Sequence, residues 1–133
     1  MCIRDSGRRE LRVAGQAEPI SHFTDAVAAG GFLFVSGIVP VDEWRELVGG
    51  DDVVAQARRV FDNMRAVLAA GGCTFADVVK VTVYLTDVDD RPLVNPVREE
   101  VFGETRPAST LVEISGLVIP GAKIEVDCVV LLP

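Results

Sequence analysis

Histidine, aromatic residues and closely spaced cysteines are all scarce in this chain, and each scarcity removes a class of function. The single His22 has no cysteine or second histidine near it in sequence, so a zinc site lacks a ligand set. A ligand or general-base role for His22 stands beside the plainer reading of a surface or lightly buried side chain. Cys2, Cys73 and Cys128 are odd in number, widely spaced and contain no C-x-x-C pair, which indicates neither a disulfide framework nor a metal. Cys128 falls on the apolar side of a strand pattern and reads as core packing. Aromatics make up 6% of residues, too few for a base-stacking platform. Basic charge is short as well. The formal net charge is −7, while nucleic-acid binding depends on neutralising phosphates. The one basic cluster is Arg8, Arg9 and Arg12, so nucleic acid is not expected as the main partner. No apolar run reaches the roughly 18–20 residues that a membrane span needs. No basic start followed by an apolar stretch marks a secretory signal. The expected setting is cytoplasmic, away from membranes.

What is present is an ordinary globular mix, 49% hydrophobic and 25% charged, at a length of 133 residues that suits one domain. Residues 1–18 are polar, basic and aperiodic and read as a disordered arm, leaving 19–133 as the domain. Within the arm, Met1–Ser6 reads as an in-frame translation of a transposase adapter used in sequencing-library preparation. Such segments are set aside in fold reasoning. Independent genomic reads encoding the same six residues would refute that reading.

The run Asp25–Gly31 leads into Phe32–Ser36, two short extended stretches around Gly30-Gly31 that predict a β-hairpin. Gly37 to Gly50, with Pro40 inside it, reads as a loop. Asp51-Asp52 then opens the clearest helix. Val53, Ala57, Val60, Phe61, Met64, Val67 and Leu68 share one face, and Gln56, Arg58, Arg59, Asp62, Asn63 and Arg65 are assigned to the opposite side. Gly71-Gly72 suits its C-terminal cap. Thr74 to Asp77 has the form of a capping box. Val79, Val81, Val83 and Leu85 alternate with Lys80, Thr82, Tyr84 and Thr86, a strand buried on one face. A second helix is expected from Asp89 to Gly103; Pro92 suits its first turn, and Pro96 is awkward enough to suggest a later regular start. Two strands follow, around Ser109–Ile114 and Lys123–Val130.

This order implies an α+β single domain, one mixed sheet with two helices on one face. The other face would carry Lys80, Thr82, Tyr84, Glu113, Glu125 and Asp127, too polar for a core. Val129 and Leu131 make it too apolar to sit wholly in water. A face of that character suits a subunit interface with pockets in it.

Phe34-Val-Ser-Gly-Ile-Val-Pro40, Gln56-Ala-Arg58 with Asn63, and Asp77 to Asp87 recur in order with Val94-Asn95, Pro107 to Glu113 and Lys123-Ile-Glu125. Taken together, these stretches resemble the reactive-intermediate deaminase (Rid, or YjgF-type) family from about Glu18 to Pro133. The resemblance implies a chorismate-mutase-like fold and a homotrimer with a central β-barrel. It also implies a small-molecule cleft between each pair of subunits. Members of its best-known branch hydrolyse short-lived enamines and imines to keto acids and ammonia, with no metal and no cofactor. Carried onto this chain, the resemblance makes Glu125 the catalytic residue that positions water. It makes Phe23, Gly37, Asn95, Ser109 and Leu111 the substrate-binding residues.

Two departures bear on function. The family pattern Pro-Ala-Arg-Ser uses its arginine to clamp a carboxylate, and Ser109 stands in that place. Loss of a buried charge-assisted contact costs on the order of 2–4 kcal/mol of binding. Arg106 lies three residues away, an offset that points it to the opposite face of a continuous strand, with Pro107 between. Phe23 stands where the family often has tyrosine. A neutral or cationic substrate beside Glu125 and Asp127 is therefore the expectation. Plainer readings accompany each residue. Glu125 and Asp127 could face solvent or pair with Lys123 or Lys80, Asn95 could be only a helix cap, and Gly37 could only permit a turn. Ser109 reads as pocket lining, since no base adjoins it to make it a nucleophile. Two functions stay in view: an enamine/imine deaminase-like hydrolase, and a non-catalytic trimeric small-molecule-binding or regulatory module. A third, RNA cleavage, is opposed by the acidic charge, the sparse aromatics and the unpaired His22.

Overall fold

A computed structural model of the chain describes residues 7–133; the adapter-like Met1–Ser6 lies outside the described residues. Six strands form one sheet in the order β1-β2-β3-β6-β4-β5. They are β1 (Arg8–Leu11), β2 (Ala26–Ala29), β3 (Phe32–Ile38), β4 (Val78–Leu85), β5 (Ala108–Glu113) and β6 (Ile124–Leu131). Helices α1 (Val53–Ala70) and α2 (Arg91–Phe102) complete it. Only the β4–β5 pair is parallel, with α2 as its crossover. This is the mixed α+β sheet that the residue pattern implied.

The β2–β3 hairpin turns at Gly30 and Gly31, whose φ angles of 60° and 85° suit the primed two-residue turn. Asp52 caps α1 by accepting from Val54 N (2.9 Å) and Ala55 N (3.4 Å). All seven apolar positions of the α1 stripe are buried against the sheet's inner face. That face is built by Leu33, Val81, Val83, Leu85, Ile124, Val126 and Val130, every one with 0% exposure. Phe61, Phe75 and Phe102 meet edge to face, with centroids 5.4–6.2 Å apart, and fasten the two helices to the turn before β4. Cys128 is buried in the same core, and burial beside Asp127 pushes its thiol up to about 12.

Five expectations change. Arg8–Leu11 is a strand, not a loose arm: it pairs with β2, buries Leu11, and is anchored by Arg12, which bonds Asp25 at 2.5 Å. Gln56 and Asn63 are buried rather than on the wet side of α1. Gln56 Nε2 donates to the Gly50 and Gly121 carbonyls at 2.7 and 3.0 Å, and its Oε1 accepts from Lys123 N at 2.7 Å. Val79 lies out of phase, 42% exposed, because β4 shifts register against β6 between Val78 and Lys80. Glu113 pairs with Leu85 in the β4–β5 register, which sets it on the helix side, where it accepts from Val88 N. Helix α2 runs from Arg91 straight through Pro96 rather than starting later. Pro92 and Pro96 are both exposed, so water can satisfy the carbonyl that Pro96 leaves without a donor.

Gln56 thus ties the loop before α1 to the segment that starts β6. Gln56→Leu leaves two carbonyls and one N–H without partners and is expected to cost about 3 kcal/mol. Urea unfolding with an unchanged m-value would measure it; a loss under about 0.5 kcal/mol would mean the three bonds contribute nothing net.

Candidate functional site

At one end of the sheet, β3, β6 and the segments flanking β2 and β3 enclose a cavity of about 410 Å³. Phe23, Gly37 and Glu125 line it, joined by Asn63, Arg45 and Ser36. Each is placed by backbone rules. Ser36 and Gly37 lie where β3 shifts register against β6, between Val35 and Ile38, so the strand bends and opens its end. Asn63 reaches up from α1 and donates to the Val39 and Val41 carbonyls at 3.2 and 2.9 Å, holding the outgoing chain. Asp42 caps the turn that follows, accepting from Trp44 N and Glu46 N at 2.9 Å. That turn forces Arg45 to φ 65°, unusual for a residue with a side chain. Arg45 in turn bonds the Glu18 carbonyl across the cavity mouth. Trp44 beside it is 75% exposed.

Glu125 lies directly over Gly37. A Cβ built on Gly37 would sit 2.2 Å from Glu125 Oε2, so glycine is required there for the carboxylate to fit, and a turn is not the reason. Burial first, and Asp127 second, push the Glu125 carboxyl above its ordinary value. It has no hydrogen-bond partner among the described residues. Asp127, two residues on, is engaged instead: the Tyr84 hydroxyl donates to it at 2.9 Å, which raises the phenol's pKa. The two carboxylates share a strand face but not a role. Neither pairs with Lys80 or Lys123; Lys80 bonds Thr110 Oγ1 at 2.7 Å and Lys123 pairs with Asp51 at 3.1 Å.

The other sequence-derived candidates stand elsewhere in the subunit. Asn95 lies on α2 and Ser109 and Leu111 on the edge strand β5, and none of them lines the cavity. Asn95 sits inside α2 and donates to Glu99 Oε1 at 3.2 Å, so it is not a cap. Ser109 accepts from Arg98 Nη2 at 2.7 Å. Leu111 packs against the core. Arg106 precedes β5, is exposed, and bonds nothing among the described residues. Sequence reasoning missed Arg45 and Arg98, since a charged residue on a loop or helix reads as solvated. His22 is exposed. Among the described residues no group of three or more His, Cys, Asp or Glu could hold a metal, and no helix is long and apolar enough to cross a membrane.

A mixed sheet covered on one face by two helices, with the half-buried Glu125 carboxyl facing a cavity at its end, defines an α+β class of fold. The chain matches the family model described as Endoribonuclease L-PSP over residues 14–132, and it belongs to that family, the Rid family. A RutC family protein of Pyrococcus horikoshii is 45% identical over 101 residues, covering 75% of this chain and 79% of its own. The 3-aminoacrylate deaminase RutC of Acinetobacter baylyi is 36% identical over 115 residues, covering 86% and 90%. The crystal structure of RidA from the Antarctic bacterium Psychrobacter superposes with a TM-score of 0.86 at 30% identity, covering 93% and 99%.

The Glu125–Gly37 contact can be tested directly. In Gly37→Ala the added methyl displaces the carboxylate toward water, and its titration is expected to fall back toward the ordinary glutamate range. Side-chain carboxyl NMR of the two proteins would show it. An unchanged Glu125 titration would rule out that packing.

Proposed function

We propose that this protein hydrolyses small enamines and imines, releasing ammonia and a carbonyl product. The observation that carries the reading is Glu125, a half-buried carboxyl with no protein partner, aimed into a cavity made possible by Gly37. Its likeness to a 3-aminoacrylate deaminase supports the same chemistry. An enamine tautomerises to its imine, and water then attacks the imine carbon. Glu125 as carboxylate accepts one water proton as the C–O bond forms and passes it to nitrogen, giving a carbinolamine; it then relays the carbinolamine O–H proton to nitrogen as the C=O bond forms and the C–N bond breaks. The sum is imine plus water giving carbonyl compound plus ammonia. A raised pKa makes the Glu125 carboxylate a stronger base toward the water proton and lets the protonated form persist nearer neutral pH, where it can serve as the acid.

The working unit in this proposal is a homotrimer, its subunits joined through the sheet face that the helices leave uncovered. Phe32, Phe34, Val112 and Leu131 on that face are 37–52% exposed in the single subunit. Exposed aromatic and aliphatic side chains among polar ones are the composition of an interface core. The cavity with Glu125 and the edge with Asn95, Ser109 and Leu111 then come from adjacent subunits. RNA cleavage has less support: Arg8 pairs with Glu10, and Arg12 with Asp25 and Glu18, so the basic cluster is largely neutralised.

Ammonia release from enzymatically generated 2-aminoacrylate and 3-aminoacrylate is the test. Glu125→Gln is expected to lower kcat by roughly 100- to 10,000-fold. Because the ionised carboxylate takes the water proton, wild-type activity is expected to fall as pH drops through the raised Glu125 pKa. That limb lies at higher pH than an ordinary glutamate would give. Binding of a small ligand without turnover, with Glu125→Gln altering affinity alone, would favour the non-catalytic module. Sedimentation is expected to give three subunits for the wild type and a smaller species for Phe34→Glu. A monomeric wild type would sink the interface.

A further inference from the structure

Among the described residues, Arg98 is a cation without an anion. It is half-buried on α2 and makes one hydrogen bond there, from Nη2 to Ser109 Oγ at 2.7 Å. The carboxylates nearest in sequence are engaged elsewhere. Glu99 accepts from Asn95 Nδ2, and Glu100 holds Arg58 at 2.7 and 3.3 Å. Glu113, two residues beyond Leu111, accepts from Val88 N. Burial lowers the Arg98 pKa, and repulsion from Arg91 lowers it further. A guanidinium drawn out of water with no counter-charge is costly, and an arriving anion removes that cost.

The surroundings define which anion. Guanidinium carries five N–H donors in a planar fork, of which Ser109 takes one. Since Ser109 Oγ accepts that bond, its own O–H is left to donate in the same locality. Two convergent donor groups of this kind match a carboxylate. Leu111, two residues along β5 and so on the same side of the strand, adds an apolar wall packed on the core. This edge of the sheet therefore suits a small carboxylate with a short apolar body.

We propose that Arg98, oriented by Ser109, is the carboxylate-binding residue of this protein, supplied from helix α2 instead of from strand β5. The inference rests on the imine-hydrolysis reading and on the subunit contact that brings this edge to a neighbour's Glu125. It reverses the expectation of a neutral or cationic substrate, which followed from Ser109 considered alone. It also separates Ser109 from chemistry: Ser109 is a positioning residue that acts through Arg98.

The test compares KM for imino acids generated in the assay with KM for the matching imino amides, which lack the charge. Arg98→Gln is expected to raise KM for the acids roughly 10- to 100-fold, with the amides and kcat little changed. Arg98→Lys should recover part of the loss, and Ser109→Ala should give a smaller rise of the same selectivity. Equal KM changes for acids and amides, or none, would overturn the proposal. Binding of 2-oxobutyrate, followed by calorimetry, keeps the two readings apart. A protein that binds it in an Arg98-dependent way but turns over no imine keeps the carboxylate site and loses the deaminase. A protein that turns imines over with Arg98→Gln unaffected keeps the deaminase and loses the carboxylate site. Thermal unfolding of each variant separates these effects from simple misfolding.

Discussion

Strand β6 is hydrogen-bonded on both sides, to β3 and to β4, and its alternation divides the molecule in two. Ile124, Val126, Cys128 and Val130 point under the helices and are almost wholly buried. Glu125, Asp127, Val129 and Leu131 point the other way. A slip of one residue would drive two carboxylates into the core and four apolar side chains out of it, so the register is strongly determined. Every functional placement inherits that choice. Glu125 reaches the cavity because it is odd-numbered on a strand whose even positions are spoken for, and Asp127 meets Tyr84 for the same reason.

The sheet face away from the helices has a different logic from the core. Its aromatic side chains, Phe32 and Phe34, adjoin each other with ring centroids 6.4 Å apart, while its acids lie toward one end of β6. The apolar side chains dominate near Phe32, Phe34 and Leu131, and the carboxylates near Glu125 and Asp127, with Tyr84 between Val112 and Glu125 where the two meet. One region can bury itself while the other stays open to a ligand. The cavity wall is correspondingly fixed by backbone contacts from Asn63 and Asp42, and the side chains that would meet a ligand, Phe23, Arg45 and Glu125, project from that fixed frame.

How much of this could be read beforehand depended on periodicity. The α1 stripe, the β6 alternation and the Gly30-Gly31 turn announce themselves because local pattern and tertiary burial agree. Strand β1 did not, being four residues of mostly charged sequence whose strand character exists only through pairing with β2. Gln56 and Asn63 looked wet because polarity was the only cue, whereas their burial is made tolerable by carbonyls distant in sequence. At the site, Phe23, Gly37 and Glu125 were legible as a set and meet in one cavity. Asn95, Ser109 and Leu111 stand apart from it: Ser109 and Leu111 lie on the edge strand β5 in register with the buried Val81 and Val83, while Glu125 faces the other way on β6. Arg98 was illegible because its meaning lies in the absence of a counter-charge among the described residues, which only three dimensions reveal.

The lone tryptophan ends up in an informative place. Trp44, 75% exposed, neighbours Arg45 on the rim of the cavity, far from the packed aromatic trio under the sheet. Its indole is already bathed in water, so its emission is red-shifted in the native state and changes little when the chain unfolds. Intrinsic fluorescence in this protein is therefore a poor gauge of folding.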